Sequence, residues 1–235
     1  MKRAQSRSLS RRRIQKLLST TGSNRSAGAR IEALSREFLG LPYASTLVGS
    51  AEQPEVFVAS LDGFDCVTYI ETVLALARAS SEKQFVEGLR RLRYDQGRVD
   101  WRRRNHYMTQ WIRNNTRSGA VHRIPANVPR RAKARVLNLV PGLPPSSARF
   151  ECVPKKAVSR LAPQLQTGDL IFFASTRKHL DVFHCGLLIR EGDRLRMRHA
   201  SRSRKGVVEQ DLDEFLKANR MAGVIVVRPA GDRNR

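Results

Sequence analysis

The sequence predicts an α+β domain in which an antiparallel sheet packs on helices. Three observations predict it. Apolar residues recur at helical spacing between residues 30 and 112. Short β-rich runs bounded by turn residues occupy residues 168–228. The two kinds of pattern are segregated along the chain, which argues against a doubly wound α/β sheet. The 235 residues suit one domain, and a 40% apolar share is enough for a core. No apolar run approaches the roughly 18 residues of a membrane span. Three cysteines are too few for a disulfide scaffold or a four-cysteine zinc site.

Residues 1–29 are rich in Ser, Arg, Gly and Thr with little periodicity, and read as a basic disordered tail. The domain proper is expected over 30–235. The run Ser10-Arg11-Arg12-Arg13-Ile14-Gln15-Lys16 faintly resembles a twin-arginine export signal. The stretch after it is polar, so no convincing signal peptide is expected.

Ile31, Leu34 and Phe38 predict a helix over 30–39, ended by Gly40-Leu41-Pro42. Residues 43–64 read as a loop. From Cys66 to Ala77 the chain lacks Gly and Pro and predicts a buried helix, with Asp65 as its N-cap. Phe85, Val86, Leu89 and Leu92 mark another helix, and Tyr107, Met108, Trp111 and Ile112 a further one. The proline-bearing segment 141–168 reads as a long connection. Leu170 to Phe173, Phe183 to Ile189 and Arg194 to His199 read as strands, the last two joined by a turn at Glu191-Gly192-Asp193. A short helix around Leu212–Leu216 and a strand over Gly223–Arg228 complete the pattern.

The formal charge is +23, and 35 of the 44 bases are Arg. It is unevenly placed. Residues 1–30 hold nine bases and no acid. Residues 31–77 hold seven acids and one base. Residues 78–135 hold sixteen bases and four acids. A pI near 11.4 raises nucleic-acid binding as a function class. Aromatics are only 6%, and no helix-turn-helix, zinc-finger or RNA-recognition pattern is present.

Cys66 opens the strongest helix. A helix N-terminus offers unpaired N–H groups and positive partial charge, which favour a thiolate and an oxyanion. Taken alone, Cys66 reads more readily as a buried structural thiol, since Cys66, Ile70, Val73 and Ala77 share one helical face. Two histidines change the balance. On its strand His199 shares a face with Leu195 and Met197, while Arg194, Arg196 and Arg198 occupy the other face and are expected in water. His184 lies on the preceding strand of the hairpin. Two inward histidines on neighbouring strands can hydrogen-bond, one orienting the other toward a cysteine, which is what nucleophilic cysteine catalysis requires. A zinc site from Cys66, His184, Cys185 and His199 is disfavoured, because adjacent strand residues point to opposite faces. No metal or cofactor is expected. His122 and His179 read as surface residues, Cys185 as core, and Trp101 and Trp111 as packing.

Ordered phrases carry a family resemblance: Phe38-Leu39-Gly40-Leu41-Pro42-Tyr43, Gly63-Phe64-Asp65-Cys66-Val67-Thr68-Tyr69, Thr167-Gly168-Asp169-Leu170-Ile171-Phe172-Phe173, Asp181-Val182-Phe183-His184-Cys185-Gly186 and His199-Ala200-Ser201. Together they resemble the NlpC-type papain-like cell-wall cysteine hydrolases. Arg104-Asn105-His106-Tyr107-Met108 with Trp111 resembles their N-acetylmuramoyl-L-alanine amidase-like branch. The resemblance spans roughly residues 30–228. It implies a papain-like antiparallel sheet on the nucleophile helix, with a helical insertion. It implies a Cys66–His184–His199 triad, Tyr43 beside the nucleophile, and Asn105, His106 and Tyr107 shaping the substrate cleft. It implies peptidoglycan fragments or muropeptides as substrate, a hydrolase cutting the amide between N-acetylmuramic acid and L-alanine, and a location in the cell envelope or periplasm. A stem-peptide D,L-endopeptidase needs the same triad and is the alternative; a catalytically dead binding module is disfavoured by the intact Cys66, His184 and His199. The basic tail is expected to contact anionic envelope polymers.

Overall fold

The computed structural model describes residues 11–20, 26–45, 47, 49–125 and 127–231. Its centre is a six-stranded sheet of β1 (Val121–Arg123), β4 (Leu170–Ala174), β5 (Val182–Glu191), β6 (Arg194–Ser201), β7 (Gly206–Asp211) and β8 (Gly223–Pro229). The strand order is β1-β8-β4-β5-β6-β7, and every neighbouring pair is antiparallel. Two further strands, β2 (Arg131–Leu137) and β3 (Ser146–Cys152), form a separate antiparallel ribbon. A bridge between Val153 and Val224 ties the ribbon to the sheet.

Apolar side chains cover both faces of the sheet. On one face Phe172, Cys185, Leu187, Ala200 and Ile225 pack with α1 (Arg11–Thr20), α2 (Ala27–Arg36), α3 (Cys66–Ala77), α4 (Glu82–Arg93) and α5 (Met108–Arg117). On the other, Ile171, Phe173, Leu188 and Met197 pack with α6 (Val158–Leu161) and α7 (Leu212–Ala218). A strand covered on both sides has no reason to alternate. This accounts for the unbroken apolar run Leu170-Ile171-Phe172-Phe173 in the centre of the sheet.

The helical half places α3 against α2, α4, β5 and β6. Every residue of α3 from Thr68 to Ala77 is buried. Among them is Glu71, whose carboxylate accepts from Arg93 Nε at 2.9 Å and from Trp111 Nε1 at 3.1 Å. This buried ion pair locks α3, α4 and α5 together. Burial raises the Glu71 pKa, and the Arg93 charge opposes the rise.

Three expectations are corrected. Residues 11–20, read as part of a disordered tail, form α1, and Ile14 and Leu17 are buried in the core. Residues 1–10 and 21–25 of that segment lie outside the described residues. The four-residue spacing of Ile14 and Leu18 with Leu17 gives α1 a narrow apolar stripe that the surrounding arginines mask in composition. The connection 141–168 contains β3, α6 and two short 3₁₀ turns. Its partner strand β2 lies in a stretch rich in Arg and Ala, which carries little β signal. Arg198 is buried rather than in water: it pairs with Glu209 at 2.6 Å and donates to Glu32 O at 2.8 Å and Ser35 Oγ at 2.9 Å. Helix α2 covers this part of β6, so the alternation held but the second face is not solvent.

Candidate active site

Cys66 is the first residue of α3. Asp65 caps the helix in an extended conformation, its Oδ1 accepting from Val67 N at 3.0 Å and Thr68 N at 2.8 Å. Thr68 Oγ1 accepts in return from Asp65 N at 3.0 Å, completing a capping box. The cap uses the N–H groups of the second and third helical residues. Among the described residues, nothing in the protein accepts from the Cys66 N–H. That N–H is therefore free to face an oxygen held against the sulfur.

The β5 strand carries His184 beside an irregularity. Phe173 pairs with His184, but Ala174 pairs with Val182, so Phe183 is an extra residue. Such a bulge breaks strict alternation and re-aims the neighbouring side chain. Asp181, just before it, accepts from Thr109 N and Oγ1, each at 2.7 Å, and from Val182 N at 2.7 Å. One buried carboxylate thus fastens the start of α5 to the strand that bears His184. The His184 ring lies nearly parallel to Phe173 and Phe215, with interplanar angles of 16° and 27°.

His184 Nε2 lies 2.6 Å from His199 Nδ1, with the two rings near perpendicular at 82°. His199 is 2% exposed. Burial, then the neighbouring His184 charge, push its pKa down to about 3, and the Gln210 side chain opposes the shift. Burial and the His184 charge thus favour the neutral form of His199. Cys66 and His184 are half-buried. The Cys66 pKa is lowered to about 5: a hydrogen bond from the Cys185 thiol acts most, burial opposes, and a hydrogen bond and charge from His184 reinforce the lowering. Cys66, His184 and His199 thus stand together, the thiol pKa lowered beside His184 and the His199 ring 2.6 Å from it.

Tyr43 joins the same place. It bridges Phe64 in parallel, two residues before Cys66. Burial and then the Cys66 charge raise its pKa, so the phenol keeps its proton beside the sulfur. Cys185 was expected in the core and is there, 1% exposed. Its sulfur also lies 3.3 Å from Cys66 O, and burial with the Cys66 charge holds its pKa well above the usual thiol value. The signal for this contact lay in the strand itself, since the face opposite His184 is the face that meets α3.

Asn105, His106 and Tyr107 are placed differently. Asn105 is buried, with Nδ2 donating to Leu92 O at 3.0 Å and its oxygen accepting from Asn114 Nδ2 at 2.8 Å. His106 Nε2 lies 2.7 Å from Trp101 O, and burial lowers its pKa. The Tyr107 hydroxyl accepts from Leu139 N at 2.8 Å and Val140 N at 3.2 Å. These bonds join segments of the protein to one another. Among the described residues none of the three shares a hydrogen bond or ring contact with Cys66, His184 or His199. Among the described residues no group of three or more His, Cys, Asp or Glu converges as a metal site, and no helix is long and apolar enough to cross a membrane.

A profile of the AmiA-like family, described as N-acetylmuramoyl-L-alanine amidase-like, matches residues 33–224. The chain belongs to the AmiA-like family. Its matched span opens inside α2 and closes in β8, so it includes every residue of the line just described. Among solved structures, an N-acetylmuramoyl-L-alanine amidase from Bacteroides uniformis is similar at 26% identity, with a TM-score of 0.77 over 87% of this chain and 99% of that one. A Legionella pneumophila protein shares the fold at 23% identity and a TM-score of 0.82, over 94% of both chains. No curated protein matches the chain. Membership of the AmiA-like family supports a peptidoglycan amidase hydrolase.

Proposed function

We propose that this AmiA-like protein is a cysteine-dependent amidase of the papain-like NlpC type, cutting the amide between N-acetylmuramic acid and L-alanine in muropeptides. The observation that carries the reading is the line from Cys66 at a capped helix start, through His184, to His199 at 2.6 Å. A thiol whose pKa is lowered to about 5, half-buried at a helix start, favours the thiolate that acyl transfer needs.

The chemistry follows from the placement. The Cys66 thiolate adds to the carbonyl carbon of the lactyl–alanine amide. The Cys66 N–H and the Tyr43 hydroxyl hold the resulting oxyanion. Collapse breaks the carbon–nitrogen bond, and the leaving amine takes a proton from His184. The muramoyl group remains on sulfur as a thioester. His184, now neutral, takes a proton from water as that water attacks, and the carboxylate of muramic acid leaves. His199 accepts from His184 Nε2–H and so keeps the other ring nitrogen turned to sulfur. Asn105, His106 and Tyr107 act at one remove, by fixing the segments around the cleft. The catalytic unit is a single domain over 30–235 with α1 packed into its core, working on cell-envelope material, and the basic residues at the N-terminus contact anionic polymers there.

Product analysis by mass spectrometry on defined muropeptides tests this reading. A free stem peptide beginning with L-alanine supports it. A cut inside the stem peptide replaces it with a D,L-endopeptidase.

A further inference from the structure

The turn between β6 and β7 stands beside the site and no part of the catalytic sequence uses it. It is Arg202-Ser203-Arg204-Lys205, and all four residues are exposed. The turn is built rather than loose. Arg204 N donates to Ser201 Oγ at 3.3 Å, Lys205 N donates to Arg202 O at 3.2 Å, and Lys205 takes a left-handed φ of 57°. Tyr43 N donates to Lys205 O at 2.9 Å, and Pro42 bridges Gly206. A Cβ on Gly206 would lie 2.9 Å from Leu41 O, so the approach admits only glycine. The turn is therefore stitched to the segment that carries Tyr43 next to Cys66. The Arg202 charge acts on Tyr43, and the Arg204 charge acts on His199. None of Arg202, Arg204 and Lys205 makes an ion pair among the described residues. Asp65, whose charge also acts on Tyr43, is already engaged in capping α3.

We infer that this turn is the rim that selects substrate: Arg202 and Arg204 bind a carboxylate carried by the substrate near its scissile amide. Guanidinium groups match carboxylates in charge and in fork geometry. Unpaired cations at the mouth of a site dominated by a thiolate also raise the local concentration of anionic ligands. The inference rests on the amidase reading for the identity of the substrate, the acidic stem peptide of a muropeptide. The recognition of an anion beside Cys66 does not depend on it.

The test uses two alkylating probes of nearly equal size on the full chain. Iodoacetate carries a carboxylate and iodoacetamide does not; each forms an S–C bond to Cys66 and releases iodide. The ratio of their rates, divided by the same ratio for a free small thiol, should favour iodoacetate in the wild type. Arg202→Gln with Arg204→Gln should lower that normalised ratio about fivefold. Raising salt from about 0.02 to about 0.5 M should lower it in the wild type alone, which needs no variant to fold. A ratio that the substitutions leave unmoved overturns the inference, since the +23 charge of the whole chain gives a salt response by itself. A second arm compares muropeptides with free and amidated stem carboxylates. The wild type should show a roughly tenfold higher KM for the amidated form, and the double variant no preference. If the wild type turns over neither muropeptide, the amidase reading fails, while the alkylation ratio still decides the rim.

Discussion

His184 Nε2 and His199 Nδ1 lie 2.6 Å apart, and this one contact determines which nitrogen of His184 is left for Cys66. His199 is neutral, so it offers a lone pair on Nδ1 when its proton is on Nε2. His184 then donates through Nε2 and keeps Nδ1 for the sulfur. In the proposed mechanism this pair makes His184 the base and His199 a positioning residue.

The two histidines should therefore fail differently. His184→Ala should lower kcat/KM by about 10²–10⁴-fold, since it removes the proton carrier. His199→Gln retains a side chain that can accept from His184 and should keep a measurable share of activity, with its loss in kcat rather than KM. Steady-state kinetics on one muropeptide checks both. Equal losses in the two variants would contradict the division of roles.

Cys66 should react as a thiolate well below the usual thiol range. With a pKa near 5, iodoacetamide alkylation should rise with pH through about 5 and be near its plateau at pH 6. The sign is fixed: a lowered pKa means more thiolate at any pH beneath the ordinary thiol value. Cys185→Ala removes the largest contribution to that lowering, so the midpoint should move up. Rates that climb only near pH 8–9 would mark Cys66 as an ordinary thiol.

His199 should make the fold acid-sensitive. Its folded pKa, about 3, lies below the unfolded value near 6.5, so the unfolded chain binds more protons between those limits. Stability should thus fall as pH drops from about 6.5 toward 3, by an amount on the order of a few kcal/mol. His199→Gln should flatten that part of the profile. Thermal melts at neutral and mildly acidic pH, for wild type and variant, read the difference directly.

The Glu71–Arg93–Trp111 network should carry the helical half. Glu71→Ala leaves the buried Arg93 guanidinium without its carboxylate and should destabilise the protein by about 3–5 kcal/mol. Denaturant unfolding measures it. A change within about 0.5 kcal/mol would show that water already reaches Arg93.

Much of this was legible before any coordinates. The helix from Cys66 to Ala77 and its Asp65 cap were readable because an uninterrupted apolar run after an acidic cap has few other outcomes. The inward pair His184 and His199 followed from period-two alternation on two strands joined by a short turn. Other features were hidden for physical reasons. Helix α1 is hidden because Ile14 and Leu17 are scattered among arginines, so composition reads as a tail where a narrow apolar stripe exists. The ribbon β2–β3 is hidden because most of its residues are exposed or half-exposed, with only Leu137, Phe150 and Cys152 buried, and because its strands pair with each other rather than with the main sheet. Arg198 is hidden because alternation tells which face a residue occupies but not what covers that face. The bulge at Phe183 has no local sequence mark at all, yet it sits beside His184. The roles expected of Asn105, His106 and Tyr107 came from likeness; among the described residues, Asn105 bonds to Leu92 of α4 and Asn114 of α5, and Tyr107 to the 139–140 segment.

The central claim is that Cys66 forms a thioester with the muramoyl carbonyl. Acid quenching during turnover of a defined muropeptide, followed by intact-mass measurement, tests it most directly. The wild type should gain the mass of the muramoyl group, mapped by digestion to Cys66, while free stem peptide beginning with L-alanine accumulates. Cys66→Ala should gain no mass and release no peptide. Equal peptide release by wild type and Cys66→Ala would contradict the account.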